Sequence, residues 1–279
     1  MRRIVFLDVD GTLVRDDQTI SPATVQACRK ARENGHKLFL CTGRSRAELF
    51  DNIVEIGFDG YICAGGGYAV ADGQVLFHHK VSLKDVQHVV DFCNANEIDF
   101  YLESNGGLYA SSNCVSHIMQ ALGLHNQSEN PFTAAMRERQ NLYREDVNKI
   151  CFLQSDVSFE RIAQEFADTF EVIRCTVPSF GADSGELAVR GVSKTYAIKR
   201  ILNYLGVRRE DTIAIGDGMN DIGMIAFCQV GIAMGNAVEA LRSAADFVTD
   251  TVVEDGLAKA FVRCGLISVD DLSIQEERN

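Results

Sequence analysis

The chain has 279 residues, of which 46% are hydrophobic and 24% charged, the composition of an ordinary globular protein, long enough for one large domain or two smaller ones with a real core. Its 27 Lys and Arg stand against 39 Asp and Glu, a formal net charge of −12, which argues against nucleic acid and anionic membranes as partners. Three Pro and 23 Gly exclude collagen-like repeats, and no run approaches the ~18 apolar residues of a membrane span.

Residues 4–9 form a nearly continuous apolar run, the pattern of a strand buried on both faces. Ser21 and Pro22 supply an N-cap and a first-turn proline for a helix that ends near Gly35. Residues 37–41 read as a second strand, and the Ser45/Glu48 pair as a capping box opening a helix to residue 56. A third strand covers residues 61–64, and Asp72-Gly73 signals a two-residue hairpin between 68–71 and 74–77. This β-α-β-α-β order predicts an α/β fold, a Rossmann-like unit with a parallel sheet.

The rhythm changes near residue 81. A helix from Ser82 to about residue 95 is followed by strands over 99–103 and 108–110, a polar stretch over 125–146, a strand over 149–154, a helix over 159–168 and strands over 171–175 and 186–190. This pattern is α+β, and residues 81–186 hold only 7 of the Lys and Arg but 16 of the acidic residues, as a separately solvated module would. From Ser193 the α/β pattern returns: helix 194–205 stopping at Gly206, strand 212–215, helix 220–227, strand 230–233, a helix from 237, a short strand at 247–248 and a helix from 254. The expected organisation is a core of residues 1–80 and 187–279 with a smaller domain, 81–186, inserted between.

Nine cysteines lie at 28, 41, 63, 93, 114, 151, 175, 228 and 264, none in C-x-x-C spacing. Zinc ribbons and thioredoxin chemistry are disfavoured, and the usage suits a reducing compartment, the cytoplasm by default. The apolar stretch after Met1-Arg2-Arg3 is interrupted by Asp8, too early for a signal peptide.

Asp8-Val9-Asp10-Gly11-Thr12 lies where the first buried strand ends. In extended chain Asp8 and Asp10 share a face, at the strand end where open α/β sheets bind ligands. Either one carboxylate caps the next turn and the other is solvated, or a hard divalent ion such as Mg2+ neutralises the pair. Gly216-Asp217-Gly218-Met219-Asn220-Asp221 follows a second apolar strand. Asp217 and Asp221 are either parts of an Asx turn or the other half of a metal site. Thr42-Gly43-Arg44 follows the second strand, where a hydroxyl and backbone N–H groups bind phosphate at a helix start or merely cap it. Lys194 is a single cation at a helix start and alone would be read as a solvated charge. Gly65-Gly66-Gly67 does not make a dinucleotide-binding fingerprint, and the adjacent His78 and His79 point to opposite sides of a strand.

Together and in their order along the chain, the four segments resemble the four signature motifs of the haloacid dehalogenase (HAD) superfamily of phosphatases. The ending is similar to its Cof-type branch with a type IIB cap: Gly216 to Asp221, then Ala233-Met234-Gly235-Asn236-Ala237, then Glu254-Asp255-Gly256. The resemblance covers residues 1–80 and 187–272; the inserted segment matches only in position, length and α+β character. It implies a Rossmann-like core with an inserted α+β cap domain, and hydrolysis of a small phosphorylated metabolite, a sugar phosphate or phosphorylated cofactor. It implies Asp8 as nucleophile forming an aspartyl-phosphate and Asp10 as general acid and base. Mg2+ would be held by Asp8, the Asp10 backbone carbonyl and Asp217, with Asp221 in support. Thr42, Gly43, Lys194 and Asn220 would hold the phosphoryl group, with Arg44 reaching the substrate or pairing with a carboxylate. Phosphotransfer to a sugar hydroxyl on the same scaffold, or ligand binding on a silent one, are the competing expectations. Two positions depart from the family pattern: Ala64 stands where many relatives have Asn, and Ser45 where many have Pro.

Overall fold

The structure is a computed structural model that describes residues 2–175 and 177–272; residues 273–279 of the segment assigned to the core lie outside it. Along the described chain the strands are β1 (Ile4–Leu7), β2 (Lys37–Cys41), β3 (Gly60–Cys63), β4 (Tyr68–Ala71), β5 (Gln74–His78), β6 (Phe100–Ser104), β7 (Leu108–Ala110), β8 (Met136–Arg137), β9 (Val147–Phe152), β10 (Phe170–Arg174), β11 (Gly185–Val189), β12 (Thr212–Gly216), β13 (Val230–Ala233) and β14 (Phe247–Val248). They form an eight-stranded sheet ordered β14-β13-β12-β1-β2-β3-β4-β5 and a six-stranded sheet ordered β10-β11-β9-β6-β7-β8. The fold is mixed α/β with a mostly parallel first sheet: β14 through β3 pair in parallel, and β4 turns back antiparallel on β3.

Two compact units result. One comprises the chain up to Gly43, Asp51–Phe77 and the chain from Ser193; the other comprises Arg44–Phe50 and His78–Val192. In the first unit β1 is central, and all four of its residues are buried. Helix Lys194–Leu205 contributes Ala197, Ile198, Ile201 and Leu202 to a core with Ile4, Phe6 and Phe39. Ser193 caps that helix by accepting from Tyr196 N at 3.1 Å, and Gly206 closes it at φ 63°, the left-handed C-cap geometry glycine adopts without strain. Asp72 and Gly73 turn between β4 and β5 with φ 48° and 77°, as the hairpin dipeptide predicts.

The sheet of the second unit is packed on both faces. Phe100, Leu102, Ile150, Phe152 and Leu187 meet Val86, Val89 and Val90 of helix Leu83–Ala95 and Ile162 and Phe166 of helix Phe159–Phe166. Alternate residues Tyr101 and Cys151 meet Cys114, Val115 and Ile118 of helix Cys114–Leu122 on the other face, as the two-residue strand period requires. That helix was not expected from the sequence. Residues 45–56 also differ from expectation: a 3₁₀ turn, Arg46–Glu48, is followed by a separate short helix, Asp51–Val54. Glu48 Oε2 does accept from Ser45 N at 2.7 Å, but it caps one turn rather than three.

All nine cysteines are outside disulfides. Among the described residues, no helix is long and apolar enough to cross a membrane.

Candidate active site

Three strand ends of the first unit define the site. Leu7 stands opposite Leu40 of β2 and Ile215 of β12, so Asp8 lies level with Cys41 and Gly216, the last residues of those two strands. Asp8 N donates to Ile215 O at 3.0 Å, which carries the ladder one step past β1. The chain then turns: Val14 N donates to Val9 O at 2.8 Å and Gly11 N to Val14 O at 2.9 Å. Gly11 sits at φ 73°, and a Cβ there would lie 2.2 Å from Asp217 Oδ2. Only glycine lets this backbone lie against that carboxylate.

Lys194 links the motifs. It is 2% exposed, and its Nζ donates to Asp8 Oδ1 at 2.5 Å and to Asp221 Oδ1 at 2.6 Å. Asp221, fully buried, uses its other oxygen to accept from Asp217 N at 3.1 Å and Gly218 N at 3.0 Å. Asp221 is therefore occupied by the lysine and the backbone and braces the turn that presents Asp217. Asp217 is held in turn by Thr12, whose Oγ1 donates to Asp217 Oδ1 at 3.3 Å. Asp8, Asp217 and Asp221 each offer a carboxylate oxygen, and these oxygens all lie within 4.8 Å of one another.

The charge balance is lopsided. Burial pushes the Asp8 carboxyl well above its ordinary range, and Asp221 adds to this, while Lys194 opposes both. Burial and then Asp221 push Asp217 up to about 7. Burial works against the Lys194 ammonium, but Asp221 and Asp8 outweigh it and hold its pKa above the usual value. Three carboxylates, two of them buried and Asp217 half-buried, share one cation, so the residues fit a divalent ion with hard oxygen preference.

The other expected residues fall as follows. Asp10 is exposed and its carboxylate is not one of the three grouped oxygens, but it lies close enough to Asp217 to add to the rise of that carboxyl's pKa. Thr42, at the end of β2, is 1% exposed; its N donates to Ile62 O at 2.9 Å and its carbonyl accepts from Gly65 N at 3.1 Å. Gly43 faces Asn220: a Cβ there would lie 3.7 Å from Asn220 Nδ2. Arg44 groups with the second unit, where it donates to Glu48 O at 3.1 Å and lies over the Phe50 ring.

Gly66 was missed as a site residue. It lies at φ 115°, and a Cβ there would meet Ser193 O at 2.2 Å, so the glycine run lets β3 close on the start of the lysine helix. Its signal was the run itself, set aside above for want of a dinucleotide fingerprint.

With this geometry in hand, the comparisons with known proteins define the class. The profile of the haloacid dehalogenase-like hydrolases matches residues 5–261, and the chain belongs to that family. Within it, the chain is 29% identical over 270 residues to the 5-amino-6-(5-phospho-D-ribitylamino)uracil phosphatase YitU of Bacillus subtilis, covering 92% of this chain and 95% of that one. Among solved structures it is similar to BT1666 of Bacteroides thetaiotaomicron, described among HAD phosphatases, with a TM-score of 0.78, 27% identity and 96% coverage of each chain. The HAD subclass IIB sugar phosphatase BT4131 superposes with a TM-score of 0.76 at 25% identity, over 95% of this chain and 100% of that one.

Proposed function

We propose that this haloacid dehalogenase-type phosphatase, a phosphoric monoester hydrolase, cleaves a small phosphorylated metabolite through an aspartyl-phosphate on Asp8, with Mg2+ as its cofactor. The observation that carries the reading is the buried Lys194 bridging Asp8 and Asp221 beside Asp217. Phosphoryl transfer asks chiefly for positioning and charge neutralisation, and this arrangement supplies both.

Asp8 attacks phosphorus as the carboxylate, forming the acyl-phosphate bond as the bond to the leaving oxygen breaks. Asp10 gives its proton to that oxygen. It then takes a proton from the water that attacks phosphorus, and the Asp8 carboxylate is released. Lys194 holds Asp8 in place and cancels part of its repulsion with the incoming dianion. That repulsion is about 4 kcal/mol between unit charges 4 Å apart at an effective dielectric of 20. Thr42, the Gly43 backbone and Asn220 hold the phosphoryl oxygens. Asp8, the Asp10 carbonyl and Asp217 would hold the Mg2+, with Asp221 as a brace; when bound, the ion supplies the remaining positive charge for the phosphoryl group.

The leaving group is a sugar or a cofactor precursor. The phosphorylated ribitylaminouracil named for YitU and the sugar phosphates named for BT4131 support this reading, and we assign selection of the leaving group to the inserted domain, read as residues 81–186. The test is hydrolysis of an aryl phosphate, then of a panel of sugar phosphates and phosphorylated cofactor precursors, with Mg2+ and with chelator. Asp8→Asn and chelation should each abolish turnover; an active Asp8→Asn enzyme would remove the mechanism.

A further inference from the structure

The segment Ala233-Met234-Gly235-Asn236-Ala237 takes no part in the chemistry above, yet Asn236 joins three loops. Its Nδ2 donates to Gly11 O at 2.8 Å and reaches Asp217 Oδ2 at 3.5 Å, while its Oδ1 accepts from Val252 N at 2.9 Å. The amide orientation is fixed by these partners: only its oxygen can accept from the Val252 N–H, so its nitrogen must face the Gly11 carbonyl.

The surroundings are tight. Gly235 N donates to Asp250 O at 3.0 Å, and a Cβ on Gly235 would lie 2.7 Å from Thr251 N. Val238 N donates to Asp217 O at 3.0 Å. The segment is therefore anchored to the 249–252 loop on one side and to the Asp217 backbone on the other. Across from it, Gly11 presses on the Asp217 carboxylate and Thr12 hydrogen-bonds it.

We infer that Asn236 is a positioning residue for the divalent-ion site: it pins the Gly11–Thr12 turn against Asp217 and so fixes the carboxylate that receives the cation. The role rests on the reading of Asp8 and Asp217 as ion holders. It requires a side chain that donates and accepts at once. Leucine of similar shape does neither, and aspartate would set a carboxylate against the Gly11 carbonyl and Asp217.

The test is Mg2+ binding by isothermal titration calorimetry without substrate, for the wild type, Asn236→Leu and Asn236→Ala. Asn236 is exposed, so neither substitution opens a cavity in the core. Both should weaken Mg2+ binding by about 10-fold or more and raise by the same factor the Mg2+ needed for half-maximal aryl phosphate hydrolysis. KM for the aryl phosphate at saturating Mg2+ should not move. Unchanged Mg2+ affinity in both Asn236 variants, or a KM that rises at saturating Mg2+, would overturn the role. A wild type that binds no Mg2+ would instead overturn the function proposed above.

Discussion

Replacing Lys194 with methionine removes a cation of similar length from between two buried carboxylates. The ammonium lies 2.5 Å from Asp8 Oδ1 and 2.6 Å from Asp221 Oδ1. At an effective dielectric of 20 each attraction is about 6 to 7 kcal/mol, opposed by a desolvation cost of several kcal/mol per ion. Removing the lysine leaves the carboxylates' desolvation uncompensated, and the expected net loss is about 3–5 kcal/mol. For a unit of this size that corresponds to a fall in Tm of roughly 10 °C. Thermal melting at neutral pH in EDTA measures it. Added Mg2+ should stabilise Lys194→Met more than wild type, because more negative charge is left to bind it. Activity at saturating Mg2+ should drop at least ~10²-fold, the scale for losing one donor to a transition-state oxyanion. A metal-free Tm equal to that of wild type would refute the reasoning, since it would mean that the lysine does not compensate the aspartates.

Ala64 sits at φ 51°, a left-handed conformation that costs an L-residue roughly 1–2 kcal/mol. Ala64→Asn should therefore raise stability by about 0.5–1 kcal/mol in urea unfolding, because Asn tolerates this region and Ala does not. In the second unit, burial and then Glu48 hold the Glu103 carboxyl well above its ordinary value of 4.5. Lys149 Nζ opposes them at 3.3 Å from Oε1, while Glu186, which itself pairs with Lys149, Cys151 and Tyr101 complete the surroundings. The folded chain thus keeps a proton that the unfolded chain has released, and stability from this group falls as pH rises from 4.5 through the raised folded value. Glu103→Gln keeps an acceptor for Lys149 and does not titrate. Its Tm advantage over wild type should grow with pH across that window, and a constant offset would count against the assignment.

What the sequence carried best were elements with a complete local code. Strands 37–41 and 230–233 and helices 83–95 and 194–205, with Ser caps and the Gly206 stop, emerge at the expected residues. Helix Cys114–Leu122 carries a code of the same kind, Asn113 before it and Gly123 after it, but a weaker one, since Asn113 makes no side-chain cap bond. The 45–56 segment misled for the opposite reason. A true Ser45–Glu48 hydrogen bond marks a turn whose continuation is set by packing, since 44–50 and 51–77 group with different units. In the site, Asp8, Asp217, Asp221 and Lys194 were legible as motif residues, but their contacts span separations such as 8 to 194, which no local pattern encodes. The exposure of Asp10 and the contacts of Gly66 and Asn236 needed the folded turns.

The most direct measurement is chemical trapping during turnover with Mg2+ and an aryl phosphate: borohydride quenching followed by peptide mass spectrometry. An acyl-phosphate is reduced where a free carboxylate is not, so residue 8 should appear as homoserine, with Asp10, Asp217 and Asp221 unaltered. Phosphate release at a steady rate with Asp8 unmodified, or reduction at another aspartate, would contradict the account.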